Sequence, residues 1–62
     1  MDEDLLKGPD EIGKFLGRSR HSTYKLAEKG LIPSFKIGGI LYARKSTLRE
    51  FFAHMELKQA KS

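Results

Sequence analysis

The sequence predicts one small, mainly helical domain carrying a short β-hairpin. Three observations carry that prediction. Apolar residues recur at helical spacing in three separate segments; a Gly38-Gly39 pair sits between two short alternating runs; and glycine or proline punctuates the chain between these pieces. Sixty-two residues leave room for one domain. Residues 1–6 read as a flexible acidic lead-in, residues 7–57 as the folded domain and residues 58–62 as a frayed tail.

The first helix is expected from Gly8 to Gly17. Pro9 suits a first helical turn, where its missing N–H would be unbonded anyway. Asp10 and Glu11 follow at the positive end of the helix dipole. Ile12, Phe15 and Leu16 make one apolar face, and Gly17 ends the helix. One or two residues, Gly17-Arg18, then separate it from a second helix whose N-cap is Ser19. Thr23, Leu26 and Ala27 form the inward face of that helix, and Gly30 closes it. His21, Lys25, Glu28 and Lys29 point the other way, with Arg20, Ser22 and Tyr24 on the flanks.

Pro33 blocks further helix. Phe35-Lys36-Ile37 and Leu41-Tyr42-Ala43-Arg44 then alternate around the paired glycines as a hairpin, with Ile40 extending the turn. By the period of two, Lys36, Tyr42 and Arg44 share one face opposite Ile37, Leu41 and Ala43. Ser46 is the expected N-cap of a last helix. Its stripe of Leu48, Phe51, Phe52 and Met55 is expected to be plain core. The order is helix, tight turn, helix, hairpin, helix: a helix-turn-helix followed by a wing.

Charge is unevenly placed. The chain carries a net +4, yet residues 14–49 hold nine Lys and Arg against Glu28 alone, while residues 1–13 are acidic. A block of one sign attracts phosphate, whereas solubility alone does not call for it. The outer face of the second helix offers hydrogen-bond donors suited to base edges or phosphates in a major groove: Ser19, Arg20, His21, Ser22, Tyr24, Lys25 and Lys29. Tyr24 also fits boundary packing, with only its hydroxyl free. Lys36, Tyr42 and Arg44 on the hairpin offer a second grip on phosphates or the minor groove. Glu28 suits a weak ion pair with Lys25 or Lys29 better than base contact. Asp2, Glu3 and Asp4 read as solvated tail.

Other classes fit poorly. There is no cysteine, hence no disulfide and no thiolate chemistry. His21 and His54 fall in different elements, without metal-ligand spacing, so no metal and no cofactor is expected. Gly38-Gly39 is not followed by the helix and Lys-Ser pair of a phosphate loop. An apolar fraction of 39% is thin for a core and leaves little for a catalytic pocket, so no enzymatic activity is expected. No run is long enough to span a membrane, and the acidic N-terminus lacks signal-peptide order, so the expected compartment is the cytoplasm, at the nucleoid when DNA is bound.

Taken together, several stretches resemble the excisionase-type, MerR-like winged helix-turn-helix domain. They are Pro9 to Gly17, Ser19-Arg20, Tyr24-Lys25-Leu26, Gly30-Leu31-Ile32-Pro33, Phe35 to Gly39, Arg44-Lys45 and Leu48-Arg49-Glu50-Phe51. The resemblance covers about residues 6–53. It implies double-stranded DNA binding in phages and mobile elements, by excisionases (recombination directionality factors), transcription regulators or small terminase subunits. An excisionase bends attachment-site DNA, steers a partner integrase and does no covalent chemistry. Carried over, Ser19, Arg20, His21, Ser22, Tyr24 and Lys25 match the major-groove reader, and Lys36 to Arg44 the wing. Many relatives have Arg after the paired glycines where this chain has Ile40, which turns the wing tip towards apolar contact with a minor groove or a neighbouring copy. The long dimerising helix of full MerR regulators is missing. Excisionase and stand-alone regulator use the same domain; a protein-interaction module, resting on Ile40 and Leu57, is the alternative from another class. A single recognition helix implies cooperative self-association on DNA for useful specificity.

Overall fold

The computed structural model describes residues 3–60. The chain runs β1 (Leu5–Lys7), α1 (Gly8–Leu16), α2 (Arg20–Glu28), β2 (Phe35–Ile37), β3 (Ile40–Arg44) and α3 (Lys45–Ala60). The strands form one antiparallel sheet in the order β1-β3-β2. Three helices and this small sheet make a winged helix-turn-helix.

α1 and α2 form a corner closed by local bonds. The N–H groups of Gly17 and Arg18 both donate to the Gly13 carbonyl, ending α1. Ser19 caps α2, its Oγ accepting from the Ser22 N–H at 3.1 Å. The joining segment is therefore residues 17–19, slightly longer than the spacing suggested, because the cap residue itself is extended (φ −69°, ψ 161°). At the far end of α2, Gly30 N–H donates to the Ala27 carbonyl and Leu31 N–H to that of Leu26, the paired bonds of a Schellman closure.

The two helices touch where α1 has no side chain. A Cβ on Gly13 would stand 2.7 Å from the Arg18 carbonyl oxygen and 2.9 Å from Thr23 Oγ1. Thr23 is fully buried there, and its hydroxyl donates to the Ser19 carbonyl at 2.8 Å. The core spreads from this crossing through Ile12, Leu41, Ala43 and Leu48 to Leu6 and Ile32.

Residues 4–6, expected as part of a flexible lead-in, are instead built into the fold. Leu5–Lys7 add a strand to β3, pairing Leu5 with Arg44, Leu6 with Ala43 and Lys7 with Tyr42, and Leu6 enters the core. Asp4 is equally committed. It caps α3 from across the chain: its Oδ1 accepts from the Ser46 N–H at 2.9 Å, its Oδ2 from the Ser46 hydroxyl at 2.6 Å, and its carbonyl from the Lys45 N–H at 2.7 Å. Ser46 is therefore a donor inside α3 and not its cap. The Ser46 hydroxyl and amide, helped by Arg44 and Arg49, hold the Asp4 carboxyl below its ordinary value against a smaller opposing effect of desolvation. The other two lead-in expectations fall on Asp2, outside the described residues, and Glu3, which is exposed.

The sheet faces also differ from expectation. Gly38 and Gly39, both at positive φ (58° and 82°), form a two-residue turn that sets Ile37 opposite Ile40. Ile40 thus opens β3 and does not extend the turn. That one-residue change of register swaps the faces of β2 relative to β3. Lys36 lies opposite Leu41, on the inner face with Ala43 and Leu6, while Ile37 joins Phe35, Ile40, Tyr42 and Arg44 on the outer face. Ile37 is accordingly exposed, and the Phe35 and Tyr42 rings stack at 5.8 Å. Of the stripe along α3, Leu48 is fully buried, Phe51 and Met55 are half-buried and Phe52 is exposed. The stripe outruns the two-layer body it packs on. The helix continues through residues 58–60, expected as tail, while Lys61 and Ser62 lie outside the described residues.

Candidate nucleic-acid interface

A groove of about 530 Å³ opens between α2 and the hairpin. Its α2 wall carries Arg20, His21 and Tyr24, and its hairpin wall carries Lys36, Ile40 and Leu41. The inner-face position of Lys36 explains its presence. Its Nζ stands 5.4 Å from the centre of the Tyr24 ring, a cation–π contact bridging helix and hairpin. Tyr24 is thus the boundary residue its position on the helix suggested, half-exposed, with one ring face given to Lys36.

Three side chains of basic residue types, Arg20, His21 and Lys36, line this groove. Arg20 begins α2, whose first turn contains no acid, so the positive end of the helix dipole and the guanidinium reinforce one another. Arg20 Nε stands 3.8 Å from Asp10 Oδ1, with both side chains some three-quarters exposed. A pair so exposed binds weakly, so an incoming phosphate competes with Asp10 on favourable terms. His21 is exposed one residue further along.

The remaining candidates divide. Ser19 spends its hydroxyl on capping, and Ser22 Oγ accepts from Arg18 at 3.0 Å, so both shape the α2 N-terminus. Lys25 and Lys29 are exposed at α2 and do not line the groove. Tyr42 and Arg44 are not brought to it. Tyr42 stacks on Phe35 across the outer face, and Arg44 lies at the opposite end of β3 from the turn, 3.8 Å from Asp4. Both belong to the outer face because Ile40, not a turn residue, sets the register. Sequence reasoning missed Asp10 and Pro9 as neighbours of the groove. Their signal lies in the crossing of α1 and α2, which no periodicity within either helix reports.

A helix, a short turn, a second helix with a cationic flank, and a hairpin closing over that flank define the winged helix-turn-helix class, in which the second helix enters the major groove. A family model described as a helix-turn-helix domain matches residues 8–55, and the chain belongs to that helix-turn-helix family. Such a domain makes DNA the partner its architecture suggests. No curated protein and no solved structure matches the chain. Among the described residues, no helix is long and apolar enough to cross a membrane.

Proposed function

We propose that the protein binds double-stranded DNA sequence-specifically and acts as an excisionase-type factor of a phage or integrative element. α2 enters the major groove, where Arg20, His21 and Lys25 reach base edges and Lys29 reaches the backbone. The hairpin follows the adjacent phosphates, with Lys36 gripping from the side facing α2. The observation that carries this reading is the groove in which Arg20, His21 and Lys36 converge beside a helix-turn-helix corner. Phosphate contacts of this kind fix position and supply salt-dependent affinity; base contacts supply specificity. The factor performs no covalent reaction, works in the cytoplasm at the nucleoid, binds neighbouring sites cooperatively and directs a site-specific integrase towards excision. A transcription regulator built on the same domain is the second reading, supported by the same groove.

Fluorescence anisotropy with a generic duplex at several salt concentrations tests the binding step. Affinity should fall steeply with salt, and Lys36→Ala should reduce the salt slope by about one. Absence of binding at low salt by folded protein overturns the DNA reading. An excision assay with the element's integrase then separates the two roles: a regulator leaves the recombination ratio unchanged.

A further inference from the structure

The hairpin ends in an unusual surface for a phosphate-gripping wing. Its turn is Gly38-Gly39, so no side chain lies beyond the Ile37–Ile40 pair. Ile37 is 62% exposed and Ile40 40%, directly opposite one another. Neither residue of the pair is charged. Lys36 is turned back over Tyr24, and Arg44 lies at the other end of β3 beside Asp4. Behind the pair, on the same face, the stacked rings of Phe35 and Tyr42 brace the two strands. The tip is therefore two branched apolar side chains on a braced support. It is also continuous with the cationic groove, since Ile40 lines that groove with Arg20, His21 and Lys36.

We propose that Ile37 and Ile40 form a wedge that enters the minor groove beside the site read by α2 and unstacks one base-pair step, kinking the duplex. This rests on the reading of the groove as a duplex-DNA interface: a backbone held by Arg20, His21 and Lys36 sets the neighbouring minor groove against the tip. Apolar side chains inserted in this way bury their surface between bases and bend DNA by about 20–90° towards the major groove. Pyrimidine–purine steps unstack most readily, so the wedge selects a TA or CA/TG step at a fixed distance from the α2 site, without a hydrogen bond to any base.

The test uses the full chain and a duplex selected by it from a random pool, end-labelled for energy transfer and carrying 2-aminopurine at its flexible steps. The intact protein should shorten the end-to-end distance and brighten 2-aminopurine at one step. Ile37→Thr/Ile40→Thr keeps both β-branched positions, and neither residue belongs to the core. It should return both signals to the level of free DNA while the salt slope, set by phosphate contacts, stays unchanged. Substituting the flexible step by a stiff one should weaken binding of the intact protein and leave the double variant indifferent. Binding without a bend, a double variant that bends as the intact protein does, or a double variant that loses only self-association each overturns the wedge while leaving DNA binding standing. Failure of the intact protein to bind duplex at low salt overturns both.

Discussion

α2 and α3 begin with the same kind of bond drawn from opposite distances. At α2 the cap is Ser19, three residues before the Ser22 amide it accepts from. At α3 the cap is Asp4, 42 residues before the Ser46 amide. The first bond needs only the local turn; the second needs a segment 42 residues away to be held against the sheet. The corner of α1 and α2 is thus locally closed, by Gly13, Ser19, Thr23 and the carbonyl bonds at each helix end. The sheet beside it is assembled from a strand that precedes α1 and a hairpin that follows α2. The difference separates a corner closed by local bonds from a sheet that depends on long-range ones.

The comparison breaks most severely at the helix crossing. Gly13→Ala puts a methyl group 2.7 Å from a backbone oxygen that cannot swing aside, so α2 must move away from α1. The expected cost is about 1–3 kcal/mol, a large share of what so small a domain has, read as a lower urea midpoint. A melting curve indistinguishable from the parent's would show that the helices do not cross so closely. Thr23→Val keeps the buried volume and removes the hydroxyl bond to the Ser19 carbonyl, which still receives the Thr23 N–H at 3.0 Å. About 1–2 kcal/mol of destabilisation is expected in the same titration.

Ser19→Ala removes the local cap and should cost about 1 kcal/mol, with Ser19→Gly closer to the parent. Because α2 carries the proposed DNA contacts, the alanine variant should also weaken duplex binding at temperatures where the rest of the fold persists.

Asp4→Asn is expected to have the smallest effect of the four, and it alone should depend strongly on pH. The native carboxyl is held below its ordinary value, chiefly by the Ser46 hydroxyl. Its contribution is therefore complete above the unfolded-state pKa and disappears as pH falls through the lower native one. At about pH 7 the asparagine variant should unfold at lower urea than the parent, and the gap should close as pH falls through the lowered native pKa of Asp4. A gap that persists unchanged in acid would show that the carboxylate charge plays no part in the cap.

Much of this molecule was legible in local chemistry. The α1–α2 corner follows from glycines, Ser19 and two apolar stripes, because caps and i, i+3, i+4 spacing report directly on helices. His21 was readable on the outer face of α2, and Arg20 and Tyr24 on its flanks, for the same reason. The hairpin was readable as a hairpin, but its faces were not. Whether Ile40 belongs to turn or strand shifts the register by one residue, and either choice leaves an alternating pattern. Lys36 therefore reached the groove while Tyr42 and Arg44 did not. Three residues, Leu5–Lys7, are too short to show a strand period, so β1 was invisible.

By itself, then, the sequence determined the helices, the existence of a hairpin, the basic middle of the chain and the helix-turn-helix class, all of which depend on neighbours a few residues apart. Tertiary structure alone decided which cation faces α2, that Asp4 caps α3, that Leu6 is core and that Ile37 and Ile40 meet at the tip. Those features join residues distant along the chain or turn on a one-residue register, and they exist only once the sheet has closed against the helices.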